Sequence, residues 1–225
     1  MVDVARHVSR TAATARYVAR DALIQAHLRP YRAAQWTASD WHNAHSRSTS
    51  SSTSRSTSLD RPEEQPRYSV LVGYLEAVGR AARILDLGCG SGLLRAKIAH
   101  IPFLSYTGID GSAVAIQQAR RRLGGDNRTC FRVGDVRSDH AAPADVVVCS
   151  EVLYYIEDPG RFLAQVEDQL ARGGHLLTSM SRHPGDAVLW HLVDEAFRRI
   201  DATDVRTVNH PVAPRGWRVM LHVRR

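Results

Sequence analysis

The sequence predicts an α/β protein built on a doubly wound, Rossmann-like sheet of seven strands, with a helical extension at the N-terminus. Three observations predict it. Short apolar runs alternate with amphipathic segments from Asp60 onward. A glycine-rich turn, "LDLGCGSG", follows the first of these runs. The last two runs are joined by the turn-rich "NHPVAPRGW" with no helix between them. Alternation implies mostly parallel strands with helices on both faces. The closing pair implies an antiparallel C-terminal edge hairpin.

The elements follow in order. Residues 1–46 read as a helical extension: Val4, Val8, Ala15, Val18, Ala22 and Leu23 fall near one stripe, and Pro30 is a stop. Within it, "YRAAQWTASDWHNAHS" brings Trp41, His42 and His45 into a candidate lid, since amphipathic rings suit a segment that closes over a site. Residues 47–60 hold "RSTSSSTSRSTS", too polar to offset its ordering entropy, and read as a flexible linker. Residues 61–225 are the binding domain. A helix over 61–79 sets Val70, Leu71, Tyr74 and Leu75 on one face. Strands are expected at 83–87, 105–109, 129–133, 145–149, 174–180, 203–209 and 217–224. Helices are expected near 91–100, 112–123, 159–171 and 186–199.

Composition narrows the partners. The 225 residues are 44% hydrophobic, enough for one sizeable core, and no stretch nears the roughly 20 apolar residues of a membrane span. The formal net charge is +7. Eight arginines against three acids precede Leu59, so most of that charge sits in the extension and the body is nearly neutral. Such an arm suits an anionic partner, or simply a solvated helix. Three cysteines suggest a reducing, cytoplasmic setting without disulfides. His42-x-x-His45 has no Cys or acid cluster beside it, and no metal is expected.

In open α/β sheets ligands bind beyond the carboxyl ends of the strands, where strand order reverses. Asp86, Gly88, Cys89, Gly90 and Gly92 fall at that point. The spacing Gly88-x-Gly90-x-Gly92 departs from G-x-G-x-x-G, and the preceding carboxylate would repel a pyrophosphate but accept an ammonium group. Asp110 and Gly111 follow the second strand, where an acid can accept from both ribose hydroxyls. Asp135 and Val136 follow the third, suited to an adenine amine and ring nitrogen. Ser150 and Glu151 follow the fourth. An amino-acid end, a ribose and an adenine together describe S-adenosylmethionine.

"LDLGCGSG", "GID", "GDV" and "CSEVLYYIEDP" resemble the motif series of class I S-adenosylmethionine-dependent methyltransferases, across residues 62–225. The stretch from "SEVLYYIEDP" to "HLVDEAF" is similar to N-methyltransferases that modify nodulation lipo-chitooligosaccharides. Quinone O-methyltransferases are a more distant likeness, with a histidine where this chain has Tyr155. The resemblance implies methyl transfer to a small molecule, to an amine more readily than to a hydroxyl.

Methyl transfer from a sulfonium is an in-line displacement in which the protein chiefly aligns and desolvates, an effect of about 7–11 kcal/mol. A base helps when the acceptor is protonated. Tyr155, His183 and Glu151 are the candidate catalytic residues, and Tyr154, with Trp41 and His42, the candidate substrate wall. Arg67 reads as a surface arginine, with the cofactor carboxylate as its other possible partner. Three other readings stay open. One is an RNA or protein methyltransferase using the basic arm, although the fourth-strand motif lacks the Asn/Asp-Pro-Pro-Tyr/Phe form. Another is a non-catalytic cofactor-binding scaffold. The third, a nicotinamide dehydrogenase, is disfavoured by the glycine spacing.

Overall fold

The computed structural model describes residues 62–78, 80–139, 141–182, 186–208 and 216–225. The expected extension, lid and linker, with Trp41 and His42, lie outside these residues, as does His183. A 3-10 turn, Pro62–Glu64, leads into α1 (Gln65–Val78). There follow β1 (Arg83–Leu87), α2 (Leu93–Lys97), β2 (Ser105–Asp110), α3 (Ala113–Leu123), β3 (Thr129–Val133) and β4 (Ala144–Ser150). A second 3-10 turn, Leu153–Tyr155, precedes α4 (Pro159–Gln169), β5 (Leu170–Ser181), α5 (Asp186–Ala196), β6 (Arg198–Arg206) and β7 (Gly216–Val223).

The seven strands form one sheet in the order β3-β2-β1-β4-β5-β7-β6. The first five are parallel; β7 runs antiparallel to both β5 and β6. Strand order reverses between β1 and β4, which opens a crevice at their carboxyl ends. Alternation along each strand feeds two cores. Leu85, Leu87, Val147, Cys149 and Leu176 meet Phe162 and Val166 of α4 and Trp190 and Val193 of α5. Ile84, Tyr106, Val146, Val148 and Leu177 meet Tyr68, Leu71 and Leu75 of α1 and Ile116 of α3. Leu71 and Leu75 are wholly buried, each worth about 1.5–3 kcal/mol.

Local chemistry sets the helix starts. Ser112 caps α3 by accepting from the Ala115 amide at 3.2 Å. Asp158 caps α4 by accepting from Arg161 at 3.0 Å, with Pro159 in the first turn. Two strand starts differ from expectation by more than a residue. The fifth strand begins at Leu170, directly after α4, where the sequence reading begins it at 174. The sixth begins at Arg198 and not at 203, because its first five residues are exposed and carry no apolar alternation to read. No helix among the described residues is long and apolar enough to cross a membrane.

Candidate active site

The carboxyl ends of β1, β2, β4 and β5 meet at one edge of the sheet. The turn after β1 is closed by Asp110 from β2. Its Oδ2 accepts the Gly90 amide and its Oδ1 the Ser112 amide, both at 2.8 Å. One carboxylate thus ties the glycine turn to the start of α3. Gly88 has a φ of 76°, and a Cβ there would come within 2.5 Å of Val152 Cγ2. Gly90 has a φ of 54° but would meet nothing within 4 Å, so its face of the turn is open. Gly92 starts α2 packed against Phe131, and the Cys89 thiol is buried with its pKa pushed up by desolvation. Gly111 is exposed, with the Gly134 carbonyl 4.0 Å from a notional Cβ.

Asp86 is 2% exposed and receives the Tyr106 hydroxyl. Burial pushes its pKa up to about 7, the nearby Asp110 adds to the rise, and Tyr106 opposes it. Asp135 is exposed at the end of β3, with Val136 half-buried beside it. Arg137 grips both oxygens of Asp135, with Nη2 at 2.7 Å, and holds its pKa below the usual range. The pair faces water, is worth about 0–1 kcal/mol, and yields readily to a ligand.

At β4 and β5 a polar network crosses the site. Ser150 and Ser179 are neighbours in the parallel register, with hydroxyls 2.9 Å apart. Arg67 is 1% exposed, which corrects the expectation of a surface arginine. Its Nη1 donates to Ser150 Oγ at 2.6 Å and its Nη2 to Glu64 at 3.2 Å. Its Nε is buried without a hydrogen-bond partner. Glu151 has a φ of 61°, rare outside glycine, which swings its side chain across to β5. There Oε1 accepts from Ser179 Oγ at 3.1 Å. Oε2 accepts from the Ser181 amide at 3.2 Å and the Tyr154 hydroxyl at 2.8 Å. Burial raises the Glu151 pKa; Arg67, Tyr154 and Ser179 pull it back. The Tyr155 ring meets the Tyr154 ring edge-on at 4.4 Å and is 40% exposed.

Residues 85–176 match the family model described as "Methyltransferase domain". That span runs from β1 into β5 and contains every described residue of the crevice except Glu64, Arg67, Ser179 and Ser181. Residues 85–176 are a methyltransferase domain, set in a sheet with the fold of class I S-adenosylmethionine-dependent methyltransferases.

The methyltransferase domain is 33% identical over 102 residues to a mitochondrial ubiquinone biosynthesis O-methyltransferase of Schizosaccharomyces pombe, covering 43% of this chain and 37% of that protein. It is 36% identical over 115 residues to the ribosomal RNA large subunit methyltransferase G of Pseudomonas paraeruginosa, covering 47% and 31%. The chain thus spans about a third of the length of these relatives. Among solved structures, the N-methyltransferase NodS of Bradyrhizobium japonicum with S-adenosylhomocysteine superposes with a TM-score of 0.70 at 21% identity, over 82% of this chain and 98% of that one. The magnesium protoporphyrin IX methyltransferase ChlM of Synechocystis with S-adenosylhomocysteine gives 0.66 at 18%, over 87% and 100%. At these identities the two structures speak for the fold.

The family's cofactor is S-adenosylmethionine, and the crevice of the methyltransferase domain fits it. Gly90 leaves open space beside the turn, Asp110 ends β2 with its carboxylate half-buried at the crevice, and Asp135 lies exposed just after β3. Sequence reading favoured the surface for Arg67, with the cofactor carboxylate as the alternative, and missed Ser179 as a member of the site. A signal existed for the first. Arg67, Leu71 and Leu75 repeat every four residues, so the arginine lies on the buried stripe of α1. Ser179 gave no signal, since a serine ending an apolar run is commonplace.

Proposed function

We propose that this domain methylates the nitrogen of a small-molecule amine. The observation that carries the reading is the Glu151 carboxylate. It stands at the crevice in a strained backbone conformation, with three hydrogen-bond donors on its oxygens and the Tyr154 and Tyr155 rings beside it. Together with Asp110 it gives the crevice an anionic cast that attracts cationic reactants.

Asp110 would hold the cofactor's ribose, Asp135 and Val136 its adenine, and Gly90 with Asp86 and Arg67 its amino-acid end. Bound S-adenosylmethionine supplies an electrophilic methyl group on sulfur. The chain's own residues supply the rest. Glu151 accepts a proton from the ammonium nitrogen of the acceptor, which frees the nitrogen lone pair. Tyr154 keeps the carboxylate in place, and the rings of Tyr154 and Tyr155 exclude water from the approach. The setting is cytoplasmic, consistent with three free cysteines.

The test is calorimetric titration with S-adenosylmethionine and S-adenosylhomocysteine, followed by methyl transfer to a panel of amines and phenols. Saturable binding with turnover on amines supports the reading. Binding with turnover on phenols alone moves it to O-methylation, and binding without any turnover favours a scaffold. Likeness to a ribosomal RNA methyltransferase and the arginines before Leu59 support a second reading, an RNA substrate. Salt-sensitive RNA binding that vanishes on deleting residues 1–58 would favour it.

A further inference from the structure

We propose that Arg67 is the positioning residue of Glu151: through the paired hydroxyls of Ser150 and Ser179 it holds that carboxylate ionised and fixed in the crevice, ready to take the proton of an ammonium acceptor. The proposal rests on the amine-methylation reading for its purpose, but not for its geometry.

The chain of contacts runs across three elements. Arg67 Nη1 on α1 donates to Ser150 Oγ on β4 at 2.6 Å and lies 3.4 Å from Ser179 Oγ on β5. Ser150 and Ser179 hydroxyls are 2.9 Å apart, and Ser179 Oγ donates to Glu151 Oε1 at 3.1 Å. A guanidinium only donates, so each hydroxyl that accepts from it is left to point its own proton onward. The two serines therefore carry a donor polarity from the arginine to the carboxylate. Only an ionised Glu151 can receive on Oε1 and twice on Oε2 without a competing proton.

The charges around Glu151 sharpen the point. From α1 and its preceding turn come Arg67 and Glu64. From the turn after β4 come Tyr154 and Tyr155, and from β5 only hydroxyls and amides. Among the described residues Arg67 is thus the one cation facing Glu151, and Glu64 opposes it. Glu64 also binds Arg67 directly, which orients the guanidinium toward the serines. Its ring contact, Cζ 4.5 Å above Tyr68, keeps it from rotating away. Burial favours a neutral Glu151, and burial also disfavours a charged Arg67; each offsets the other's cost, and the guanidinium stays protonated.

The test titrates Glu151 itself in the full-length protein, following its side-chain carboxyl carbon by NMR, with the resonance identified by its loss in Glu151→Gln. Arg67→Met is expected to move the midpoint up by about one pH unit, a tenfold gain in proton affinity. Ser179→Ala is expected to move it up by less. Arg67→Lys keeps the charge but not the fork, and should return the midpoint most of the way to the wild-type value. Where activity is found, the acid limb of kcat/KM should move upward with the midpoint. Equal midpoints in wild type, Arg67→Met and Ser179→Ala overturn the proposal. Should Arg67→Met not fold, Ser179→Ala decides alone. A shifted midpoint in a protein that methylates no amine sustains the relay and rejects the amine reading, so the two fail separately.

Discussion

The Tyr106 hydroxyl donates to the Asp86 carboxylate in the core behind the glycine turn, and no basic side chain pairs with that carboxylate among its described hydrogen bonds. Desolvation therefore dominates, and the folded protein holds the Asp86 proton to about pH 7 against an ordinary value of 3.8. The folded state binds more protons than the unfolded one between those limits. Stability from this group is whole below pH 3.8 and lost as pH rises through 7. Asp86→Asn keeps an acceptor for Tyr106 and removes the titration. Its melting temperature should gain on wild type between pH 5 and pH 8, with a ceiling of about 4 kcal/mol. Thermal melts at the two pH values check this, and parallel profiles would refute it.

Asp110 holds two backbone amides and is the candidate acceptor for two ribose hydroxyls. Asp110→Ala should weaken S-adenosylhomocysteine binding at least about tenfold, since lost hydrogen bonds to a charged acceptor cost about 1.5–3 kcal/mol. It should also lower the melting temperature by a few degrees, because the glycine turn loses its tie to α3. Calorimetry and melts on one sample separate the two. Unchanged affinity would remove Asp110 from the cofactor site.

Gly88 and Gly90 should part company when each is changed to alanine. Both lie at positive φ, which costs about 1 kcal/mol for a residue with a Cβ. At Gly88 the new methyl also strikes Val152 Cγ2 at 2.5 Å, so Gly88→Ala should destabilise the fold by about 1–3 kcal/mol more. At Gly90 it meets no protein atom within 4 Å, so Gly90→Ala should fold nearly as well as wild type and bind S-adenosylhomocysteine poorly. Equal loss of stability in the two variants would mean that the space at Gly90 is not held for a ligand.

What the chain discloses on its own follows from how each signal arises. Buried parallel strands must be continuously apolar, so "RILDL" and "DVVVC" mark β1 and β4 to within a residue. The edge strand β6 faces water and reads as "RRIDATDVR", with no burial pattern to betray its start. The glycine turn is legible because positive φ and close packing select glycine. The Arg67–Ser150–Ser179–Glu151 network is not, because its members are up to 112 residues apart and meet only through strand register. Glu151 stands out by type and place, yet its direction depends on a backbone φ of 61° that no residue-type preference announces.

His222 supplies a last prediction, on the opposite side of the sheet from that network. It is wholly buried on β7, with Nε2 3.0 Å from Asp194 Oδ1 on α5 and Nδ1 lacking a partner. Desolvation lowers its pKa below 6.5, and the Asp194 carboxylate only partly offsets that. The unfolded chain therefore takes a proton that the folded chain refuses, and stability falls as pH drops below 6.5. This slope opposes that of Asp86 over the same range, so the wild-type profile should be flatter than either group alone dictates. His222→Gln should lose stability as pH rises from 5 to 7, through Asp86. Asp86→Asn should gain stability over the same interval, through His222. The double variant should return to a flat profile, since the two side chains lie in separate cores and their effects should add. Melts of the four proteins at three pH values check this, and a double variant that keeps either slope would assign the titration to other groups.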